Sequence, residues 1–224
     1  MFIDAALLPT WLVLLTGGLL LFTLLPTLWC ADWRALSQVP GRIHLLLGGA
    51  VFCVVLWLLS VRVIEGLWIH FLGMTTLTLV LGWRFAILGG SLATLVYALV
   101  IGQSLSAMPT AWLLTVAIPA TVSRYLVFRL RQVRQRNLFI YMLGAGFGGG
   151  LLSVLGVAIT SLCIFWMIDQ RAWISDALSA WPLISLMMFP EGFINGMVVT
   201  TLAVFYPQSL KTLDESHYID DRES

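Results

Sequence analysis

Charged side chains are scarce in this sequence. Asp, Glu, Lys and Arg together make up 10% of the 224 residues, whereas hydrophobic residues make up 60% and the mean hydropathy is +0.96. A soluble domain is about a quarter charged and about half apolar. The shortage of charge therefore excludes an ordinary soluble protein, a disordered chain and a nucleic-acid-binding protein.

Motifs of catalysis are missing as well. The sequence contains no Walker motif, no Gly-x-Ser-Gly segment, no His-Glu-x-x-His and no haem-attachment CxxCH. Its cysteines, Cys30, Cys53 and Cys163, form no CxxC pair and lie in or beside apolar segments, as small buried hydrophobic residues do. We therefore predict that the chain is not an enzyme and does not hydrolyse ATP itself. The motifs assign no cofactor to it.

Long apolar runs dominate what is present. They cover residues 5–29, 43–61, 71–83, 85–103, 110–128, 138–168 and 181–206. A membrane span needs about 20 residues, so the chain suits about seven spans, of which the third is short. The segment 63–70 is neither cleanly apolar nor polar, and whether it re-enters the membrane stays open. We predict an all-α, multi-pass membrane protein with one transmembrane domain, residues 1–207, and a polar tail, residues 208–224.

Most arginines lie in every second connection between these runs. The connections after runs one, three and five are basic; they carry Arg34, Arg42, Arg84, Arg129, Arg131, Arg134 and Arg136. The opposite side carries Arg62 and Arg171 and shares them with acidic residues. The positive-inside rule then predicts an N-terminus outside, a cytoplasmic C-terminus and a location in the cytoplasmic (inner) membrane.

Ionisable residues at membrane depth are candidate functional residues. Glu191 lies inside the seventh run after Pro190, and Asn195 follows one helical turn later on the same face. We expect Glu191 to face protein or a water-filled pocket, and a structural anchor and a functional group are both open for this pair. His70 should lie near the outer surface and is either a structural residue or a metal ligand. Glycines of residues 144–150 predict a helix-packing face.

Three stretches give the sequence a resemblance to a known family. They are HFLG at His70 leading into LVLGW before Arg84, SRYLVFR from Ser123 to Arg129, and EGFING from Glu191 to Gly196. Together they resemble the CbiM/NikM family, the substrate-capture membrane subunits of cobalt and nickel energy-coupling-factor transporters. The likeness implies seven spans with the N-terminus outside, a transition-metal ion as substrate, and coupling subunits with a cytoplasmic ATPase as partners.

The resemblance also implies a metal site. In that family the metal is held by the N-terminal amine, a histidine at position two and a histidine in the loop after the second span. His70 matches the loop histidine, but position two is Phe2. The amine of Met1 and the carboxylate of Asp4 are candidates to complete the site.

Three functions stay open from the sequence. The first is a transport subunit that captures a metal and docks its partners through Arg129, Arg131, Arg134 and Arg136. The second is a membrane accessory or assembly protein that kept the fold and lost the metal site. An intramembrane enzyme acting through Glu191 and His70 is less favoured, because Glu191 is expected about 15 Å deeper than His70 at about 1.5 Å per residue.

Overall fold

The structure, a computed structural model, describes residues 2–3, 5–38, 41–64, 67–133, 137–179, 181–214 and 218. The described residues form helices and one small sheet. The α-helices in chain order are α1 Thr10–Cys30, α2 Trp33–Gln38, α3 Arg42–Leu58, α4 Met74–Leu81, α5 Trp83–Ile101, α6 Met108–Trp112, α7 Ile118–Leu130, α8 Gly149–Met167, α9 Arg171–Ser179 and α10 Trp181–Phe205. Short 3-10 helices lie at Ala5–Leu7 and Pro207–Ser209, and π-helical segments at Leu113–Ala117 and Ile140–Gly148.

Five helical stretches are long and apolar enough to cross a membrane: Thr10–Cys30, Trp83–Ile101, Met108–Leu130, Ile140–Met167 and Ile184–Phe205. Their outward surfaces are apolar; Trp29 is 91% exposed and Phe22 is 77% exposed. Such surfaces are compatible with lipid and not with water. A predominantly helical, multi-pass membrane protein is therefore confirmed, and the small sheet is an addition to the all-α prediction. The number of crossings and the orientation stay predictions.

The third apolar run differs most from a standard span. Its helix, α4, has eight residues and is about 12 Å long at about 1.5 Å per residue, so it cannot cross a bilayer by itself. All of its residues except Thr76 are buried, and it packs against α5, α7 and α10. α4 therefore lies inside the protein, and the extended residues that precede it lengthen this part of the chain.

That extended segment belongs to a small antiparallel sheet. Strands β1 (Phe2–Ile3), β2 (Val61–Ile64) and β3 (Leu67–Ile69) are arranged in the order β1-β3-β2. In β1 and β3, Phe2 lies opposite Trp68 and Ile3 opposite Leu67. The first residues of the chain are thus joined to the strand that precedes His70. We call this side of the bundle the sheet end and the side with Arg84 the basic end.

Glycines set the distance between α10 and the helical stretch Ile140–Met167, which ends with α8. A methyl group added at Gly150 would lie 2.8 Å from Gly192 Cα, and one added at Gly146 would lie 3.3 Å from Gly196 Cα. Because these atoms are backbone, only glycine permits the approach. The predicted packing face is confirmed, and it brings α10 close enough for Glu191 to reach α4.

The apolar runs 110–128 and 138–168 each contain a π-helical segment. The first, Leu113–Ala117, lies directly before Pro119. Proline has no amide hydrogen, so the carbonyl four residues earlier loses its usual donor and the backbone rearranges. The second, Ile140–Gly148, includes Gly144, Gly146 and Gly148, and glycine weakens a regular helix by about 1 kcal/mol per residue.

The chain beyond α10 returns to α4. Leu210 and Leu213 are buried, and the amides of Lys211 and Thr212 donate to the carbonyls of Val80 and Leu79 at 3.1 and 3.2 Å. These carbonyls belong to the last turn of α4, which has no further helical donors. The segment expected to be a polar tail therefore begins with residues that close the C-terminal end of α4.

Candidate functional site

His70 lies between β3 and α4 in an aromatic surrounding. It is 4% exposed. Its ring centroid lies 5.6 Å from that of Trp57 and 6.5 Å from that of Tyr97. Trp57 also donates its indole hydrogen to the Leu72 carbonyl at 3.1 Å. Large rings on α3 and α5 thus fix the histidine and the loop that follows it.

The protonation of His70 follows from its contacts. Its Nδ1 lies 2.8 Å from the Phe71 carbonyl oxygen. A carbonyl only accepts, so Nδ1 carries the hydrogen and the neutral ring has its lone pair on Nε2. Burial lowers the pKa of His70 well below the usual value. A neutral imidazole held through one nitrogen is the form that binds metals.

Glu191 anchors the loop after His70. Its Oε2 accepts the Leu72 amide hydrogen at 2.8 Å, and its Oε1 accepts that of Gly73 at 2.9 Å. Asn195 Nδ2 donates to Oε1 at 2.8 Å. Glu191 is 1% exposed and faces protein, as expected from the sequence. Each carboxyl oxygen has at least one donor, which is how a buried polar group is tolerated.

Asn195 acts on the next residues of the chain. Its Oδ1 accepts the Thr76 amide hydrogen at 2.9 Å and the Thr76 hydroxyl at 2.7 Å. Thr76 lies in the first turn of α4, whose amides need acceptors. The residue before α4 is Gly73, at φ +67°, and it has no side chain to cap the helix. α10 therefore supplies the cap that the local sequence lacks.

The loop lies closer to Glu191 than the sequence analysis expected. Leu72 is bonded to Glu191 and is only two residues beyond His70, a chain length of about 7 Å at most. The expected separation of about 15 Å assumed that the loop stays at the outer border. In the structure the loop instead descends into the bundle to meet α10.

Hydroxyl groups that the sequence analysis did not single out hold the side of α4. Ser123 donates to Thr75 at 3.0 Å, and the hydroxyls of Thr75 and Ser153 lie 3.1 Å apart. They come from α7, α4 and α8 and are buried. Serine and threonine are common in spans, where they often bond their own helix. Only the three-dimensional contact distinguishes this cluster.

A cavity of about 490 Å³ opens at the sheet end beside Ile3, Trp68 and Tyr97. Gln103 lines it, and the Oε1 atom of this residue is buried without a hydrogen-bond partner in the described part of the chain. Sequence reasoning missed Gln103, because this residue lies at the end of an ordinary apolar run. Tyr97, whose ring centroid lies 6.5 Å from that of His70, lines the cavity, whereas His70 itself does not.

The remaining candidates are the N-terminal metal ligands and the arginines of the basic connection after run five. Met1, Asp4, Arg134 and Arg136 lie outside the described residues. Arg131 donates to the Thr212 carbonyl at 3.1 Å, and the guanidinium of Arg129 lies 5.9 Å from the centre of the Tyr125 ring. Across the described ranges, no three His, Cys, Asp or Glu side chains cluster as a metal site.

Two solved structures share this fold. A structure described as the crystal structure of a transition metal transporter aligns with a TM-score of 0.74 and 16% identity, over 91% of this chain and 93% of that chain. A truncated transition metal transporter aligns with a TM-score of 0.68 and 16% identity, over 91% of this chain and 99% of that chain. At this identity the likeness establishes the fold alone, that of a multi-pass helical membrane protein.

The family follows from the sequence as a whole. A family model of the cobalt uptake substrate-specific transmembrane region, CbiM, matches residues 2–209, and the chain belongs to this family. No curated protein matches it at a significant level. The resemblance drawn from the three sequence stretches is confirmed. The chain is a membrane component of transition-metal uptake, in a family of transport components and not of enzymes.

Proposed function

We propose that the chain is the substrate-capture subunit of a cobalt- or nickel-type uptake system and binds its metal ion at the sheet end through His70 and the N-terminal segment. The pairing of β1 with β3 supports this proposal most strongly. Its register runs from Ile3 opposite Leu67 to Phe2 opposite Trp68, and so along β3 towards His70. The start of the chain and the candidate ligand belong to one sheet-and-loop unit.

The proposed ligands are His70 Nε2, the amine of Met1 and the carboxylate of Asp4. Nitrogen ligands suit late first-row metals, whereas a carboxylate oxygen broadens the preference. Phe2 supplies no ligand where the family carries histidine. The metal ion is the cargo of the protein, so its site has to release it as well as bind it.

The orientation and the partners are part of the same proposal. The alternation of arginine supports seven crossings in the inner membrane, with the sheet end outside and the basic end in the cytoplasm. The sequence has no ATPase motif, so a coupling subunit and a cytoplasmic ATPase would supply energy. Arg129, Arg131, Arg134 and Arg136 form the proposed docking surface for them.

Metal-dependent thermal stability tests the proposal. The detergent-purified chain with an unmodified N-terminus is titrated with Ni²⁺, Co²⁺, Cu²⁺ and Zn²⁺. A ligand that binds only the folded state adds about 2.7 kcal/mol at a hundred times its Kd, which is roughly 5–11 °C for a chain of this length. A metal-specific rise of this size is expected for the wild-type protein.

Variants locate the effect. His70→Ala and a two-residue Gly-Ser extension before Met1 should each abolish the rise, whereas His44→Ala, at an exposed position near the start of α3, should not. Phe2→His should tighten binding, because it restores the ligand of the family. No rise with any metal would refute metal capture. Because Phe2 stands at the histidine position, that result would favour the accessory or assembly protein instead.

A further inference from the structure

A cavity of about 330 Å³ lies at the basic end, between the junction of α4 with α5, helix α7 and the segment after α10. Four cationic side chains line it: Arg84, Arg124, Arg131 and Lys211. They come from three separate parts of the chain. Ordinary positive-inside anchoring requires basic residues in a connection, but it does not require them to converge on one cavity.

Neutral groups of the protein hold these cations. Arg84 donates to the Cys30 carbonyl at 2.9 Å, and Arg131 donates to the Thr212 carbonyl at 3.1 Å. The guanidinium of Arg124 lies 5.1 Å from the centre of the Trp83 ring.

Lys211 is held in the same way, with its Nζ 5.4 Å from the centre of the Phe85 ring. Its stem lies against Gly82, where an added methyl group would be 3.1 Å from Lys211 Cδ. Within the described ranges, none of the four cations forms an ion pair with a carboxylate. Carbonyl and aromatic partners orient a cation without neutralising its charge, so the cavity keeps four positive charges.

The rim of the cavity is apolar. Phe128 lines it on α7 and is exposed, and Tyr125, one turn earlier on the same helix, is exposed too. Aromatic side chains at the end of a span are typical of the border between hydrocarbon and headgroups. A ligand here would meet cations with its polar part and an apolar helix face with the rest.

We propose that this cavity binds the phosphodiester headgroup of an anionic phospholipid, with the acyl chains along the exposed face of α7. Arginine and lysine are the usual partners of phosphate oxygens, and basic pockets between helices at the cytoplasmic side of membrane proteins bind anionic headgroups. A soluble phosphate has the same chemistry at the polar end but makes no use of the apolar rim. This inference is independent of the metal site.

Native mass spectrometry of the delipidated, full-length protein tests it. Phosphatidylglycerol, phosphatidylcholine and inorganic phosphate are titrated separately, and bound copies are counted. One saturable copy of phosphatidylglycerol is expected, with no comparable site for phosphatidylcholine. Each cation near the headgroup contributes about five-fold in affinity. The double variant Arg124→Gln with Lys211→Gln should therefore bind phosphatidylglycerol about 25-fold more weakly.

Arg124→Gln alone should weaken binding about five-fold. Arg129→Gln is its matched control, because it removes one guanidinium from the same helix outside the cavity lining. It should weaken binding no more than about two- to three-fold. Arg124→Lys with Lys211→Arg keeps both charges and should retain the site. A salt titration of the wild-type protein covers the case in which the double variant does not fold, because headgroup binding should weaken as salt rises.

Four results would overturn the proposal. Equal weakening in Arg129→Gln and Arg124→Gln would indicate diffuse surface charge. Saturation by millimolar inorganic phosphate that displaces the lipid would indicate a soluble ligand. Lipid binding only after neutralisation of the acidic residues Glu215, Asp220, Asp221 and Glu223 would show that the chain's own terminus fills the cavity. Binding unaffected by salt would exclude a role of the four charges.

Discussion

Replacing Glu191 by glutamine should destabilise the protein strongly, because the side chain accepts three hydrogen bonds in a buried place. Glutamine can keep Oε1 with the Gly73 and Asn195 donors. Its amide nitrogen then faces the Leu72 amide hydrogen across the 2.8 Å now spanned by Oε2. Two donors would face each other, and one buried backbone amide would lose its acceptor.

The magnitude follows from these losses. A hydrogen bond to a charged or strongly polar group contributes about 1.5–3 kcal/mol, and a buried unsatisfied donor costs about 1–3 kcal/mol. We expect Glu191→Gln to lose about 3 kcal/mol, which is roughly 6–12 °C in Tm for a chain of this length. Glu191→Ala should lose more, because both loop amides lose their acceptor and a void remains.

The assay is thermal unfolding in detergent, combined with hydrogen exchange of the segment from His70 to Thr76. Exchange of that segment should accelerate in Glu191→Gln more than exchange of α8, because the anchor is local. Asp169→Asn is the control, since Asp169 and its partner Arg171 are exposed and such pairs contribute at most about 1 kcal/mol. If Glu191→Gln unfolds at the same temperature as the control, the anchoring role of the carboxyl group is refuted.

Three further substitutions test the packing around α4 by Tm measurements. Gly150→Ala places a methyl group 2.8 Å from Gly192 Cα and should lower the free energy of unfolding by about 1–3 kcal/mol. Gly48→Ala is the control, because open space surrounds Gly48, and it should not lower the stability. Equal Tm values for the two variants would contradict the close approach of the helices. Gly73→Ala forces a φ of +67° on an L-residue and a contact of 2.8 Å with Leu56 Cδ1, so it should cost about 1–3 kcal/mol; an unchanged Tm would exclude this backbone conformation. Thr212→Val removes hydrogen bonds to Tyr141 and the Leu79 carbonyl and should cost about 1–2 kcal/mol and speed trypsin cleavage after Lys211; unchanged cleavage would show that the segment is not docked.

The helical, multi-pass architecture was largely predictable because long apolar runs are a strong signal. Each of the seven runs overlaps at least one observed helix. The fifth run overlaps both α6 and α7, and α2 and α9 lie in the connections between runs. The glycine face around Gly150 and the burial of Glu191 followed from elementary membrane chemistry, since a carboxyl group avoids lipid and small residues let helices approach.

The details of the site were not predictable, for physical reasons. Strands of two to four residues are too short for an alternating pattern to be recognised. The partners of Glu191 are backbone amides at Leu72 and Gly73, and a backbone donor leaves no mark in the sequence. The hydroxyl of Ser123 also bonds the Pro119 carbonyl of its own helix, so nothing local indicates its contact with Thr75.

The enclosed position of α4 has a consequence for how the protein is made. Its N-terminal end is held by residues 119 positions later, and the Leu79 carbonyl accepts a bond from the Thr212 side chain 133 positions later. At a synthesis rate of about 5–20 residues per second, roughly 6–25 s pass before those partners exist. During that time the backbone amides at the N-terminal end of α4, which is too short to cross the bilayer, have no permanent acceptors. The last span and the segment after it therefore complete the centre of the bundle, and a chain whose synthesis stops before Glu191 leaves the amides of Leu72 and Gly73 without their acceptor.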